Sequence, residues 1–457
     1  MESSVSILIA QESSQISAFF AFVTTHWQFC LLHFLEFAVW GSWIVVLGNM
    51  LNARGFSRKE IGRIYGTMPI GTMMTILFIG AIADKYMNTE VLIGISHLVG
   101  AVLLLMMAKA KNARPFYWFA FFYALAFAPT LGLVNSIVFA HDEDIFAGAA
   151  GEIFPWIRVF GTLGWIVAGL SHALILKKGE PVNENPLLLA CGLSVVLGLF
   201  AFTLPETKPA AATETVAVDQ NPASSDDPTA DSTEAADSTG AVGGKPDDGG
   251  IIAGSIEMLK AHPVFFGVAF IAAMAMGLYF AFAALFLEKT GVASNIVGPV
   301  MTIGQWIEIF FMLTLPWFLD QLGMEWVLLI GVGAWAVRFG LFTFGKPLPL
   351  VLFGIAIHGI CFDFFFAAGF IHVDSIAPKH LTATAQALLG FLVYGLGMYL
   401  GSELSGMWNQ SLSKTESAAD GKDEQTLTNW RAFWGIPCVI MIVATLMFLM
   451  SILSARG

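Results

Sequence analysis

The sequence predicts an all-α integral membrane protein with twelve transmembrane helices arranged in two halves of six. Apolar residues make up 56% of the 457-residue chain, charged residues only 12%, and the mean hydropathy is +0.73. A soluble protein carries about 25% charged residues, so most of this surface is expected to face lipid. A helix that spans the bilayer needs about 20 mostly apolar residues. Twelve windows of the sequence meet that standard, and one long polar stretch separates the first six from the last six.

The first half, residues 29–204, holds the windows of spans one to six: Phe29–Leu51, Ile61–Ala83, Val91–Ala108, Phe116–Ala140, Phe154–Leu176 and Pro186–Leu204. The second half, residues 261–457, holds those of spans seven to twelve: Pro263–Leu287, Ile296–Phe318, Trp326–Phe344, Leu348–Ile371, Ala383–Trp408 and Trp430–Leu453. Residues 1–28 precede the first span and lack the positively charged start of a cleaved signal peptide.

Residues 205–260 are predicted to form an acidic, disordered linker. Between Glu206 and Asp248 we count ten acidic residues and two lysines, so this segment supplies most of the net charge of −12. It has almost no large apolar residues and cannot bury a core. The acidity therefore belongs to a linker, and with no basic patch in the chain we expect no nucleic-acid partner.

A weak internal repeat supports two equivalent halves. The second span ends in "GAIADKY", and the eighth ends in "LPWFLDQLG". Asp84 and Asp320 fall at corresponding places, just before the next apolar window. We interpret both of them, together with Lys85, as gating-loop residues. Two equivalent sets of helices are typical of secondary transporters.

Six ionisable residues fall inside the predicted spans: Glu36, Arg158, Glu308, Arg338, Asp363 and Glu403. Each costs roughly 2.5–3.5 kcal/mol at the centre of a bilayer, so placement against lipid is unfavourable. We expect them to face a polar cavity. Structural ion pairs between helices are the alternative, and Arg338 and Glu403 lie near enough to span ends to be interfacial.

Helical spacing adds aromatic and hydrogen-bonding groups to these charges. Arg158, Thr162 and Trp165 follow one another at i, i+4 and i+7, and Gln305 and Glu308 are three residues apart, so each set shares a helix face. Such faces offer rings to stack on a planar ligand and polar groups to bind its edges. Plain packing is the alternative for the rings.

The spans contain no zinc, phosphate or catalytic-nucleophile motif, and the four cysteines show neither paired nor metal-ligand spacing. We therefore expect neither an enzyme nor a bound cofactor or metal.

Several motifs together resemble the nucleoside:proton symporter family, the bacterial nucleoside and xanthosine permeases of the major facilitator superfamily. They are "WGSWIVVLGNML", "GAIADKY", "APTLGLVNSI", "IRVFGTLGWI", "AWAVRFGLF" and "CFDFFF". The resemblance implies a major facilitator fold of two six-helix bundles, import of a nucleoside with protons, and a monomer in the bacterial inner membrane. It also implies that both termini and the linker at 205–260 are cytoplasmic, whereas lysine and arginine are more frequent in the loops on the opposite side, against the usual bias.

The resemblance further implies a nucleoside site lined by Arg158, Thr162, Trp165, Gln305, Glu308, Phe362 and Asp363. We expect Asp363 and Glu308, with Glu36, to couple protons to alternating access. The proton affinity of a carboxylate depends on its burial and on nearby charges, and both change if partners change between two states.

Two departures from the family pattern leave the ligand open. Ala281 and Ala284 stand where the seventh span of the family carries amides, and Glu36 stands where a neutral amide is expected. A site that loses hydrogen-bonding groups changes its ligand preference. The alternatives are a transporter for a sugar or modified nucleoside, and a membrane sensor that transports nothing.

Overall fold

A computed structural model describes residues 21–76, 87–207, 248–417 and 424–456. Within them, nine helices are long and apolar enough to cross a bilayer. The predicted all-α membrane fold is confirmed. Large apolar side chains such as Leu174 and Leu313 are 88% and 65% exposed on these helices, as expected for contact with lipid.

In the first half, the third to sixth spans are the single helices Thr89–Lys109, Ala113–Ala140, Ala150–Ile175 and Asn185–Ala201. The first span is divided into Trp27–Gly41 and Leu47–Ala53, and the second into Arg58–Tyr65 and Thr67–Met74. Hydropathy predicts the first and second spans as continuous helices. It depends only on amino-acid composition, and a break in the helix changes the backbone conformation without changing the composition.

In the second half, the seventh to ninth and twelfth spans are the helices Pro263–Lys289, Val297–Leu322, Met324–Phe344 and Trp430–Arg456. The tenth span consists of Leu348–Ala356, His358–Phe362, a π-helix at Asp363–Ala367, and Ala368–Ile376. The eleventh runs through Thr382–Gly390, a π-helix at Phe391–Gly397, and Met398–Ser411. Short π-helices inside α-helices occur frequently at functional sites.

The helices pack with the symmetry of two equivalent halves. The first span lies along the fifth and the third along the sixth, while the seventh lies along the eleventh and the ninth along the twelfth. Between the halves, the second span packs on the eleventh and the fifth on the eighth. Each contact therefore has a counterpart in the other half. The pair of spans one and five corresponds to seven and eleven, and three and six to nine and twelve. Between the halves, the pair two and eleven corresponds to eight and five.

Two elements differ from the sequence-based expectation. A helix at Asp248–Ala261 occupies the end of the stretch predicted as linker, and it packs on the start of the eleventh span, where Gly254 closely approaches Leu381. Met258 of this helix is buried, so the helix has an apolar side that packs on the protein, whereas the acidic stretch before it has almost no large apolar residues. A two-stranded antiparallel hairpin, Ser413–Ser417 with Glu424–Thr428, joins the last two spans.

The halves meet tightly on the face of the molecule away from the chain termini. Gly62 of the second span lies against Gly406 of the eleventh, where a Cβ atom would approach the Gly406 Cα to 2.7 Å. Arg63 forms a salt bridge with Glu403 at 3.3 Å across the same contact. On this face, helix packing closes the path between the halves.

Candidate functional site

A narrow cavity lies between the two halves. The first half contributes Val45, from the break in the first span, and Trp165. The second half contributes the other lining residues, Tyr279, Phe280, Met301, Gln305 and His358. Of the predicted site residues, Trp165 and Gln305 line this cavity.

Small residues bring the eighth and tenth spans close together beside the cavity. A Cβ atom on Gly359 would lie 2.7 Å from the backbone nitrogen of Glu308, and one on Gly304 would lie 2.9 Å from the Cβ of His358. Only glycine allows this approach, which places His358 Nε2 3.8 Å from Glu308 Oε2.

Three of the predicted charged residues form one electrostatic cluster. Glu308 interacts with the charge of Arg158 from the other half, and Asp363 interacts with the charge of Glu308. The guanidinium carbon of Arg158 also lies 4.1 Å from the centre of the Phe37 ring, which is cation–π geometry. One cation and two carboxylates therefore lie near one another across the boundary between the halves.

Aromatic rings surround the same region. Trp165 meets Trp40 edge-on with ring centres 5.3 Å apart. His358 is stacked on Tyr279 at 5.5 Å and lies 6.0 Å from Phe362. These rings offer flat apolar surfaces next to polar groups, as a planar polar ligand requires.

Several buried polar atoms near the cavity make no hydrogen bond to the part of the chain that the structure describes. They are Gln305 Oε1, His358 Nδ1 and Asp363 Oδ2. A buried polar atom without a partner costs about 1–3 kcal/mol. A ligand or water that pairs with these atoms removes that cost.

Thr162 and Phe362 lie near the same residues. Thr162 is buried, one helical turn from both Arg158 and Trp165. Phe362 is partly buried and directly precedes Asp363, at the start of the tenth-span π-helix.

Arg338 is buried, in contrast to the interfacial alternative, and it supports the cavity wall. Its guanidinium donates hydrogen bonds to the carbonyls of Gly354 and Ile355, at 2.9 and 3.4 Å, next to the break in the tenth span. Its guanidinium carbon lies 4.1 Å from the centre of the Tyr279 ring, and that ring stacks on His358. Arg338 thereby fixes the helix break and the stacked pair that line the cavity.

Glu36 lies in a buried polar network inside the first half. Its carboxylate accepts a hydrogen bond from Thr130 Oγ1 at 2.7 Å and is 2.8 Å from His97 Nε2. Ser194 donates its one hydroxyl hydrogen to the His97 carbonyl, so its oxygen accepts from His97 Nδ1. The 2.8 Å contact links the Glu36 carboxyl to the imidazole ring of His97.

The predicted gating-loop residues are placed only in part. Asp84 and Lys85 lie outside the described residues. Asp320 is exposed near the end of the eighth span and accepts a hydrogen bond from Gln321 Nε2 at 2.8 Å.

The seventh-span alanines lie in a helix contact. The carbonyl of Ala284 accepts a hydrogen bond from Asn49 Nδ2 at 3.2 Å, and a Cβ atom on Gly48 would lie 3.0 Å from the carbonyl oxygen of Ala281. Both alanines are buried. The seventh span reaches the cavity through Tyr279 and Phe280 instead.

Sequence reasoning missed five of the cavity residues: Val45, Tyr279, Phe280, Met301 and His358. A signal for His358 exists, because it precedes Phe362 by four residues and so shares its helix face. No local signal identifies Val45, whose position depends on the break in the first span.

Comparisons with known proteins identify the family of this chain. The family model described as "Nucleoside H+ symporter" matches residues 23–222 and 255–455. The putative nucleoside transporter YegT of Escherichia coli (strain K12) is 32% identical over 429 residues, covering 91% of each chain. The xanthosine permease of the same organism is 29% identical over 430 residues, covering 90% of this chain and 93% of that protein.

Solved structures support the same assignment. The crystal structure of the nucleoside transporter NupG superposes with a TM-score of 0.74 at 27% identity, covering 92% of this chain and 97% of that one. A D-xylose–proton symporter matches with a TM-score of 0.64 at 12% identity, covering 93% of this chain and 97% of that one, and shows the fold alone. The chain is a multi-pass membrane transporter of the major facilitator fold and belongs to the nucleoside H+ symporter family.

Proposed function

We propose that this protein imports nucleosides together with protons by alternating access. The observation that carries the proposal is the cluster of Arg158, Glu308 and Asp363 across the boundary between the halves, beside an aromatic-lined cavity. Charges that face each other across this boundary change their separation when the halves rock. Proton binding and the opening of the site are then linked.

Each site residue has a role in this proposal. Asp363 and Glu308 exchange the proton, and Arg158 is their counter-ion or a ribose contact. Gln305 and Thr162 supply hydrogen bonds, while Trp165 and Phe362 stack on the base. Family membership and the residues at these positions support the assignment.

Glu36 is proposed as a further proton-coupling residue, since its buried carboxyl contacts the His97 imidazole at 2.8 Å and both groups are able to carry a proton. Asp84, Lys85 and Asp320 are proposed as gating-loop residues. The proposal also includes a monomer in the bacterial inner membrane with both termini in the cytoplasm. In that orientation, the face closed by Gly62 and Gly406 is the periplasmic one.

Uptake by proteoliposomes tests the function. The purified protein should accumulate labelled uridine, adenosine or xanthosine above equilibrium only when a proton gradient is imposed. Asp363→Asn should equilibrate the ligand without accumulating it. Full accumulation by this variant would refute the role of Asp363, and the absence of flux for every nucleoside would refute the proposed function.

One observation favours a second ligand class. The seventh span presents alanine at positions 281 and 284, packed against the first span, where the family pattern has amides. A sugar or modified nucleoside is therefore the second candidate. Competition of nucleoside uptake by a panel of sugars separates the two, because only a shared site gives competition.

A further inference from the structure

The eleventh span supplies one residue to this region that neither the helical spacing nor the family pattern singles out. Tyr394 lies in the middle of the eleventh-span π-helix, Phe391–Gly397. The tenth-span π-helix begins at Asp363. Two spans of this half thus depart from α-helical geometry, and each carries a polar side chain at that point.

The ring of Tyr394 is held by packing. It stacks on Phe370 of the tenth span, with ring centres 6.0 Å apart and planes inclined by 8°. Tyr394 is partly buried against the core. Stacking against an element next to Asp363 limits the directions in which the phenol can point.

Two glycines that follow Tyr394 allow this segment to sit at the boundary between the halves. A Cβ atom on Gly395 would lie 2.5 Å from the Met73 side chain of the second span. A Cβ atom on Gly397 would lie 2.5 Å from the Ala273 Cβ of the seventh. Tyr394 is therefore carried on a segment that touches both halves.

The phenol lies in the field of the whole charged cluster. Tyr394 interacts electrostatically with Arg158 of the first half and with Glu308 and Asp363 of the second. A hydroxyl placed among a cation and two carboxylates can donate one hydrogen bond and accept another. It can therefore follow a change in the protonation of the cluster and still bind a ligand hydroxyl.

We propose that Tyr394 is a specificity-determining residue whose hydroxyl hydrogen-bonds a hydroxyl group of the transported ligand beside Asp363 and Glu308. The inference rests on the proposed nucleoside transport and adds the ribose hydroxyls as the recognised group. A single hydrogen bond of this kind changes affinity about five- to tenfold.

The test compares Tyr394→Phe with the wild-type protein in proteoliposomes, using uridine, 2′-deoxyuridine and 3′-deoxyuridine. The variant keeps the ring and its stacking on Phe370 and removes only the hydroxyl. We expect its KM for uridine to rise about five- to tenfold with kcat nearly unchanged. For the deoxynucleoside that lacks the recognised hydroxyl, wild type and variant should have the same KM.

Tyr117→Phe, the same change at a partly buried tyrosine of the fourth span, is the matched control and should leave all three KM values unchanged. Tyr394→Leu removes the ring as well as the hydroxyl. If this variant keeps the wild-type unfolding temperature and has the same uridine KM as Tyr394→Phe, the effect on KM comes from the hydroxyl and not from the ring.

An unchanged uridine KM in Tyr394→Phe, or equal losses for all three nucleosides, overturns the inference while the transport function stands. A wild-type protein that transports no nucleoside overturns the proposed function and this inference with it.

Discussion

Asn49 donates a side-chain hydrogen bond to the carboxylate of Glu288, and this bond joins the end of the first span to the end of the seventh. The same amide donates to the Ala284 carbonyl at 3.2 Å. Both acceptors belong to the second half and Asn49 to the first. The pair therefore holds the halves together on the face away from the termini and must separate when that face opens.

Asn49→Ala should shift the protein toward the state that is open on this face. The variant loses two hydrogen bonds between the halves, a change of about 1–3 kcal/mol in the balance between the states. Spin labels at the exposed Lys178 and Lys289, in a cysteine-free background, report the distance between the halves. We expect a larger population at long distance.

Asn185→Ala is the matched control for Asn49→Ala. The Asn185 amide donates to the Ile175 carbonyl at 2.7 Å, a bond that lies within the first half. Its removal should leave the distance distribution unchanged. The same distribution for wild type and Asn49→Ala would show that the bond to Glu288 does not contribute to closure.

Arg338→Met should lower the unfolding temperature. The carbonyls of Gly354 and Ile355 lose their guanidinium donor, and Tyr279 loses the cation over its ring. We expect a loss of about 2–3 kcal/mol of stability. A thiol-reactive fluorophore that labels the buried Cys30 and Cys361 on unfolding measures the change in detergent micelles.

Arg456→Met removes an exposed guanidinium that forms a salt bridge with Glu325 and serves as the control. Its effect should be below about 1 kcal/mol, because exposed ion pairs contribute little. Equal shifts for the two arginine variants would contradict the role given to Arg338.

Glu36→Gln separates proton coupling from packing in the first half. Gln keeps the size of Glu, accepts from Thr130, and can donate an amide hydrogen to His97 Nε2, so the network is retained without a titratable carboxyl. We expect an unfolding temperature close to that of the wild type and reduced nucleoside accumulation at an imposed proton gradient.

Thr130→Val is the comparison for Glu36→Gln, since it removes one hydrogen bond from Glu36 and leaves the carboxyl and its contact with His97 in place. It should cost about 1 kcal/mol of stability and preserve accumulation. Undiminished accumulation by Glu36→Gln would restrict the pair to a structural role.

The candidate site could be predicted only in part, and the charged residues show why. Spacing places Arg158, Thr162 and Trp165 on one helix face because the helical period is a local property. Spacing does not say which faces meet. Of the six ionisable residues expected along a cavity, Arg158, Glu308 and Asp363 come together, whereas Glu36 pairs with His97, Arg338 with backbone carbonyls and Glu403 with Arg63.

The sequence by itself determined the membrane class, the approximate limits of most spans and the division into two halves, because each depends on apolar composition summed over a short window. Only the tertiary structure decided where helices break and which distant groups meet. The break beside Val45 and the π-helix that carries Tyr394 leave composition unchanged. The approach of Glu308 to His358 depends on glycines of two spans fitting together, which is a property of helix packing.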